Sequence, residues 1–182
     1  YGEVWWFYCS TASNQVDKYV IWNYQENLWY TGSLDRSTWI DSGTYPLPYA
    51  TKYDGTNSTL FIHESGKDDD GSTMTSFIES GDFDIGDGDD ILFINKLIPD
   101  FKGQVGNVNV SLKSRYFPTD SQTTKGPFRY STSSTKINTR TRGRQVAVRL
   151  ESNGFDDINN DATGEDWRLG TIRFEVQPDG KR

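Results

Sequence analysis

The chain has 182 residues, 26 acidic against 19 basic side chains and a net charge of −7. Asp outnumbers Glu 19 to 7, and Ala stands only at Ala12, Ala50, Ala147 and Ala162, so helix formers are scarce while turn residues and β-formers abound; this disfavours a helical bundle, a coiled coil and a doubly wound α/β enzyme. One Cys and one His exclude an intrachain disulfide framework, a Cys-rich zinc site and a multi-His metal site within the chain, and the acidic balance argues against a dedicated nucleic-acid reader.

The expected class is all-β, and the length accommodates one large or two small domains. Apolar content is 34% and rich in aromatics, which is not a disorder signature. No stretch approaches the roughly 20 apolar residues of a membrane span, and no signal-peptide pattern is present. The chain opens on Tyr1 and runs at once into Val4-Trp5-Trp6-Phe7-Tyr8. Such an apolar run needs a neighbouring strand to cover it. The expectation is a C-terminal part of a longer polypeptide, or a processed product.

The first strand is predicted over Val4 to Cys9, followed by the turn cluster Ser10 to Asn14. A second strand covers Tyr19 to Trp22. Asn23 to Asn27 turns the chain, and Leu28 to Gly32 returns as a third strand. A hairpin with an Asn-bearing turn and a Trp on its returning strand has the layout of a β-propeller blade. Pro46-Leu47-Pro48 marks an edge or loop. Tyr49 to Tyr53 and Leu60 to His63 are joined by the turn Asp54 to Asn57. Residues 1–66 are expected to be the end of a propeller-like domain. Residues 67–75 read as a polar linker, and 76–182 as an antiparallel β-sandwich.

In that last region the strands alternate with period two. Val108, Val110 and Leu112 alternate with Asn109, Ser111 and Lys113; Val146, Val148 and Leu150 with Ala147 and Arg149; Ile172, Phe174 and Val176 with Arg173 and Glu175. Ile91 to Ile94 is a continuous apolar run suited to a central strand. Phe77 to Ile85 and Trp167 to Leu169 bring the expectation to about six strands. Ser121 to Thr141 is Ser/Thr-rich and basic, and reads as a long loop: an extended hairpin or a contact arm.

Charge is segregated along the chain. Glu64 to Asp90 carries ten carboxylates against Lys67 alone, and Lys113 to Arg149 carries nine basic residues against Asp120 alone. The two blocks can pair within one domain, or between copies of an oligomer. The compact run Arg140-Thr141-Arg142-Gly143-Arg144 is expected to meet an acidic patch on the same or a neighbouring subunit rather than phosphate.

Candidate chemistry is sparse. Asp82 to Asp90 and Asp157 to Asp166 are oxygen-rich and suit calcium by ligand type, but neither keeps EF-hand spacing: Ala162 stands where the Gly belongs and Arg168 where the bidentate Glu belongs. A strand with an acidic turn, and a polar loop, are the expected readings. Cys9 and His63 have no local motif of a nucleophile pair. No spacing singles out a carboxylate pair for glycoside hydrolysis. Trp5, Trp6, Trp22, Trp29, Trp39 and Trp167 have the chemistry of a sugar platform, although five of them crowd the strand-dense N-terminal third, where Trp usually packs. Asn57-Ser58-Thr59 and Asn109-Val110-Ser111 match the glycosylation sequon and are read as chance. No catalytic, cofactor-binding or metal residue is assigned.

Several strings together carry a resemblance. They are Trp5 to Ser10; Tyr19 to Tyr24 with Leu28 to Gly32; His63 to Gly66 with Glu79 to Gly88; Arg142 to Gln145 with Val148 to Ser152; and Trp167 to Gly170 with the end Pro178 to Arg182. Their order resembles the C-terminal region of tailed-phage virion proteins of the tail hub, nozzle and packaged-DNA stabilisation kind. The loop Asp156 to Asp166 departs from that pattern as an insertion. The resemblance implies a structural, non-enzymatic role in the virion: a ring, often a hexamer, of propeller and sandwich parts below the portal and adaptor. Such a ring would surround packaged DNA without sequence-specific binding, and the family offers no catalytic residues to carry over. The alternative is a carbohydrate- or receptor-binding β module of a phage tail.

Overall fold

The computed structural model describes residues 2–152 and 164–181. Every element among them is a β-strand, and every strand pair is antiparallel. None of the sheets closes on itself. The chain divides into two units, Tyr1–Ser65 and Gly66–Arg182.

The first unit holds two three-stranded meanders. β1 (Glu3–Tyr8), β2 (Lys18–Asn23) and β3 (Leu28–Ser33) form one, and β4 (Thr38–Ile40), β5 (Tyr49–Tyr53) and β6 (Ser58–Ile62) the other. Local chemistry sets both hairpins. The Asn23 side chain accepts the backbone N–H groups of Gln25 and Glu26 at 3.1 and 3.0 Å, and Asn27 takes a left-handed φ of 54°. That is the self-capping turn for which Asn is suited. Asp54 does the same between β5 and β6, accepting from Thr56 and Asn57 at 2.8 and 2.7 Å. Cys9, expected to end a strand, and His63, expected inside one, each lie one residue past a strand.

The second unit opens on a small hairpin, β7 (Asp68–Asp69) and β8 (Ser72–Thr73), within the stretch expected to be a linker. β9 (Phe77–Glu79), β11 (Val108–Arg115), β12 (Thr123–Tyr130) and β14 (Gln145–Ser152) make a sheet of order β12-β11-β14-β9. β10 (Asp90–Val105), β13 (Ile137–Gly143) and β15 (Asp166–Lys181) make another, with β10 central. Both sheets feed one apolar cluster: Leu92, Ile94 and Leu97 from β10; Ile137 from β13; Val108, Val110 and Leu112 from β11; Tyr130 from β12; Val146, Val148 and Leu150 from β14. β15 adds Trp167, Leu169, Ile172, Phe174 and Val176 at its margin.

Three expectations change here. Ser121 to Thr141 is no loop: it supplies β12 and β13, which belong to different sheets. β13 alternates strictly between buried and exposed, but its inward residues are Ile137, Thr139, Thr141 and Gly143. The two threonine hydroxyls hydrogen-bond each other at 2.9 Å, so they tolerate burial although they read as polar. The short run at Ile91 to Ile94 is part of a 16-residue strand, and Trp167 to Val176 is one continuous strand, not two. Phe77 to Ile85 pairs as a strand only over β9, with an isolated bridge from Phe83 to Val146.

Candidate interaction surfaces

The aromatic residues of the first unit sort by strand parity into two faces. On one face of β1-β2-β3, Trp5 stacks on Tyr19 and on Trp39 of the neighbouring meander, with centroids at 5.1 and 5.9 Å. Trp39 also lies 4.6 Å from the His63 ring. The opposite face carries Trp6, Trp22 and Trp29. Register sets Trp22 directly across from Trp29. Their centroids are 5.8 Å apart and their planes within 16°; Trp6 and Trp29 follow at 6.0 Å and 20°. Near-parallel rings at this spacing are offset-stacked and overlap only in part. They leave part of each ring uncovered. Trp29 is 61% exposed and Trp6 44%. This is a projecting apolar ridge flanked by Tyr8 and Tyr24, both exposed.

His63 is built into packing. Arg36, itself buried, donates from Nε to His63 Nε2 at 3.0 Å and from its guanidinium to the Asp35 carbonyl at 2.7 Å. Its charged carbon lies 4.0 Å over the Phe61 ring. An imidazole accepting at Nε2 keeps its proton on Nδ1, so Nε2 is not open to serve as a base. Cys9 is exposed.

In the second unit the two charge blocks meet each other. β9 pairs with β14 so that Glu79 stands opposite Arg149. Glu79 accepts from Lys113 at 2.6 Å and from Arg149 at 2.9 Å, and Arg149 reaches Glu151 at 2.8 Å. The Arg149 guanidinium also covers the exposed Phe77 ring at 4.0 Å. Arg115 binds Asp82, Gln145 and the Pro118 carbonyl, and Gln122 holds the other Asp82 oxygen at 3.0 Å. Asp82 is thus engaged by donors rather than poised for a cation. Among the described residues no cluster of three metal-ligating side chains occurs. Of the second oxygen-rich stretch, Asp157 to Thr163 lie outside the described residues; Asp166 pairs with Lys67 at 2.8 Å.

The run Arg140 to Arg144 is dispersed by alternation and by the chain's turn. Arg142 pairs with Asp179 on β15, and Arg144 donates to the Gly88 carbonyl in the acidic turn. Arg140 alone stays exposed without an ion pair among the described residues, beside an open cleft of about 350 Å³ between β12 and β13. Lys125, Phe128, Asn138 and Thr139 complete the cleft lining.

The Glu79 cluster has a measurable consequence. Hydrogen bonds from Lys113 and then Arg149 hold the Glu79 carboxyl below its ordinary value of 4.5. A depressed folded value stabilises the fold above the unfolded value, and that contribution is lost as pH falls through the folded one. Acid titration of the wild type should therefore show stability declining from about pH 4.5 downward. Glu79→Gln should flatten that part of the profile and lower the plateau at neutral pH. Parallel profiles for the two proteins, followed by chemical denaturation at each pH, would refute the assignment.

Compared with known proteins, the chain matches no model of a known protein family and no curated protein. No helix among the described residues is long and apolar enough to cross a membrane.

Proposed function

We propose that the chain is a structural component of a bacteriophage tail, a hub- or nozzle-type ring protein near the portal that surrounds packaged DNA during retention and ejection. The observation that carries this reading is the Trp6–Trp29–Trp22 ridge. An exposed stack of indoles on a sheet face is an assembly surface, because leaving it in water forgoes the burial that aromatic rings favour. The reading takes the two meanders of the first unit as blades of a β-propeller, and the two sheets around one core as a β-sandwich. The role is non-enzymatic and belongs in the virion. The acidic excess fits it too: a negatively charged wall repels phosphates and lets DNA slide.

The rival reading, a carbohydrate- or receptor-binding module of the tail, asks for ring faces free to stack on sugars. Trp→Ala changes at the Trp6–Trp29–Trp22 ridge, assayed for glycan binding with the fold intact, distinguish the two readings.

Native mass spectrometry of the purified protein, together with cryo-EM of phage particles, tests the proposal. The expected result is a ring of fixed copy number, with this chain around the DNA channel. A strictly monomeric protein at all concentrations, and tail density that the chain does not fit, would overturn it.

A further inference from the structure

The hairpin β7–β8 is an acidic finger. Asp70 and Gly71 take consecutive left-handed φ values of 52° and 79° between the paired residues Asp69 and Ser72. That is the two-residue turn for which Asp-Gly is favoured. Its base is tied down: Lys67 pairs with Asp166 at 2.8 Å, and the Asp68 carboxylate accepts the Gly164 N–H. These contacts absorb Asp68 and leave Asp69 and Asp70 exposed at the tip, with no ion pair among the described residues. Intramolecular ion pairs engage Glu79 and Asp82 of the acidic block, while Asp69 and Asp70 stay exposed on a projecting turn.

The β12–β13 cleft is its electrostatic counterpart. Both charged residues that line it, Lys125 and Arg140, are basic and exposed. Lys125 donates to the Arg140 carbonyl, which uses one of its three N–H donors and leaves two. Phe128 supplies an apolar wall, Asn138 and Thr139 polar ones.

Within one copy the two stand at different ends of β10. The cleft residue Asn138 pairs with Lys96, and the base of the finger is tied to Asp166, which pairs with Val105. At about 3.3 Å per residue the intervening stretch of β10 spans at most roughly 30 Å. Two complementary patches at opposite ends of one unit make a head-to-tail contact, which closes into a ring when the rotation allows.

We infer that the Asp69–Asp70 finger of one copy docks in the Lys125–Arg140 cleft of the next. The occupant is a second copy of this chain, selected by charge complementarity. The contact rests on the ring reading above and supplies one of its interfaces. Because it is built on exposed charges, it weakens as salt rises.

The test uses the full chain and follows self-association by analytical ultracentrifugation and native mass spectrometry. Lys125→Glu/Arg140→Glu destroys the cleft and keeps the finger. Asp69→Lys/Asp70→Asn reverses the finger, keeps the cleft, and retains an Asn suited to the left-handed turn position. Each variant alone should weaken self-association at least tenfold while keeping the wild-type circular dichroism spectrum and melting behaviour. Mixed in equal amounts, the two should assemble again, because each finger then finds a cleft of opposite sign. This rescue separates a lost contact from a lost fold. Variants that form the wild-type ring with unchanged affinity would overturn the contact and leave the ring reading standing. A wild type that stays monomeric would overturn both. Retention of double-stranded DNA by the wild type that the cleft variant loses would assign the cleft to phosphates and overturn the second-copy occupant.

Discussion

Leu112→Ala should destabilise the second unit by about 3 kcal/mol, within the roughly 2–5 kcal/mol span of Leu→Ala changes in buried sites. Leu112 is fully buried. It stands in β11, the strand paired on one side with β12 and on the other with β14, opposite Lys125 and Val148. Both neighbouring strands are held by backbone ladders, so the surroundings cannot collapse freely into the space left by the lost methyl groups. The loss combines transfer free energy with a residual cavity. Urea denaturation of the full chain, followed by far-ultraviolet circular dichroism, should show the midpoint for this unit falling while the slope stays constant. A loss below about 1 kcal/mol would mean that Leu112 is not in a tight core.

Gly126→Ala should cost about 2 kcal/mol, a large effect for adding one methyl group. Between Val110 and Leu112 the β11–β12 register shifts: Val110 pairs with Phe128 and Leu112 with Lys125, so Gly126 and Pro127 face Ser111 alone. Gly126 sits in this bulge with a φ of 116°, a region nearly closed to residues with a Cβ. An added Cβ would also come within 2.8 Å of the Val110 carbonyl oxygen. That oxygen belongs to a central strand and has little room to retreat. Gly103→Ala is the control: its φ is 70° and no atom lies within 4 Å of the added carbon. It should cost about 1 kcal/mol, from backbone strain alone. Equal losses at the two sites, measured by thermal denaturation, would remove the argument from close approach.

Much of the fold was legible in residue patterns because two signals are local. The Asn23 to Asn27 and Asp54 to Asn57 turns are written in side chains that cap their own backbone. The period-two alternation of Val108 to Lys113 and Val146 to Leu150 located the strands and their apolar face, but the expected half-burial was wrong at Asn109, Ser111 and Ala147, which are buried as well. β13 escaped this reading because its inward positions are threonines, which satisfy each other in a way that only the neighbouring residue's burial reveals. β7–β8 escaped it because two paired residues on each side of a turn leave too little alternation to detect. Its Asp70-Gly71 turn was the available signal.

The candidate surfaces divide in the same way. Counting charges along the chain revealed the two blocks, because charge is a property of each residue. Which charges neutralise one another depends on pairing between distant strands: Glu79 meets Arg149 only because β9 lies beside β14. Arg140, Lys125, Asp69 and Asp70 are among the charges that this pairing leaves exposed. The aromatic excess followed the same rule.

By itself the sequence determined the all-β class, the hairpins of the first unit and the acidic balance, since propensity, turn chemistry and charge act within a few residues. Only the tertiary structure decided how β9 to β15 divide between two sheets, which tryptophans stack on one another and which charges stay exposed. Those depend on contacts between residues far apart in the chain, whose free energy appears only once the sheets have closed around Leu92, Leu112 and Leu150.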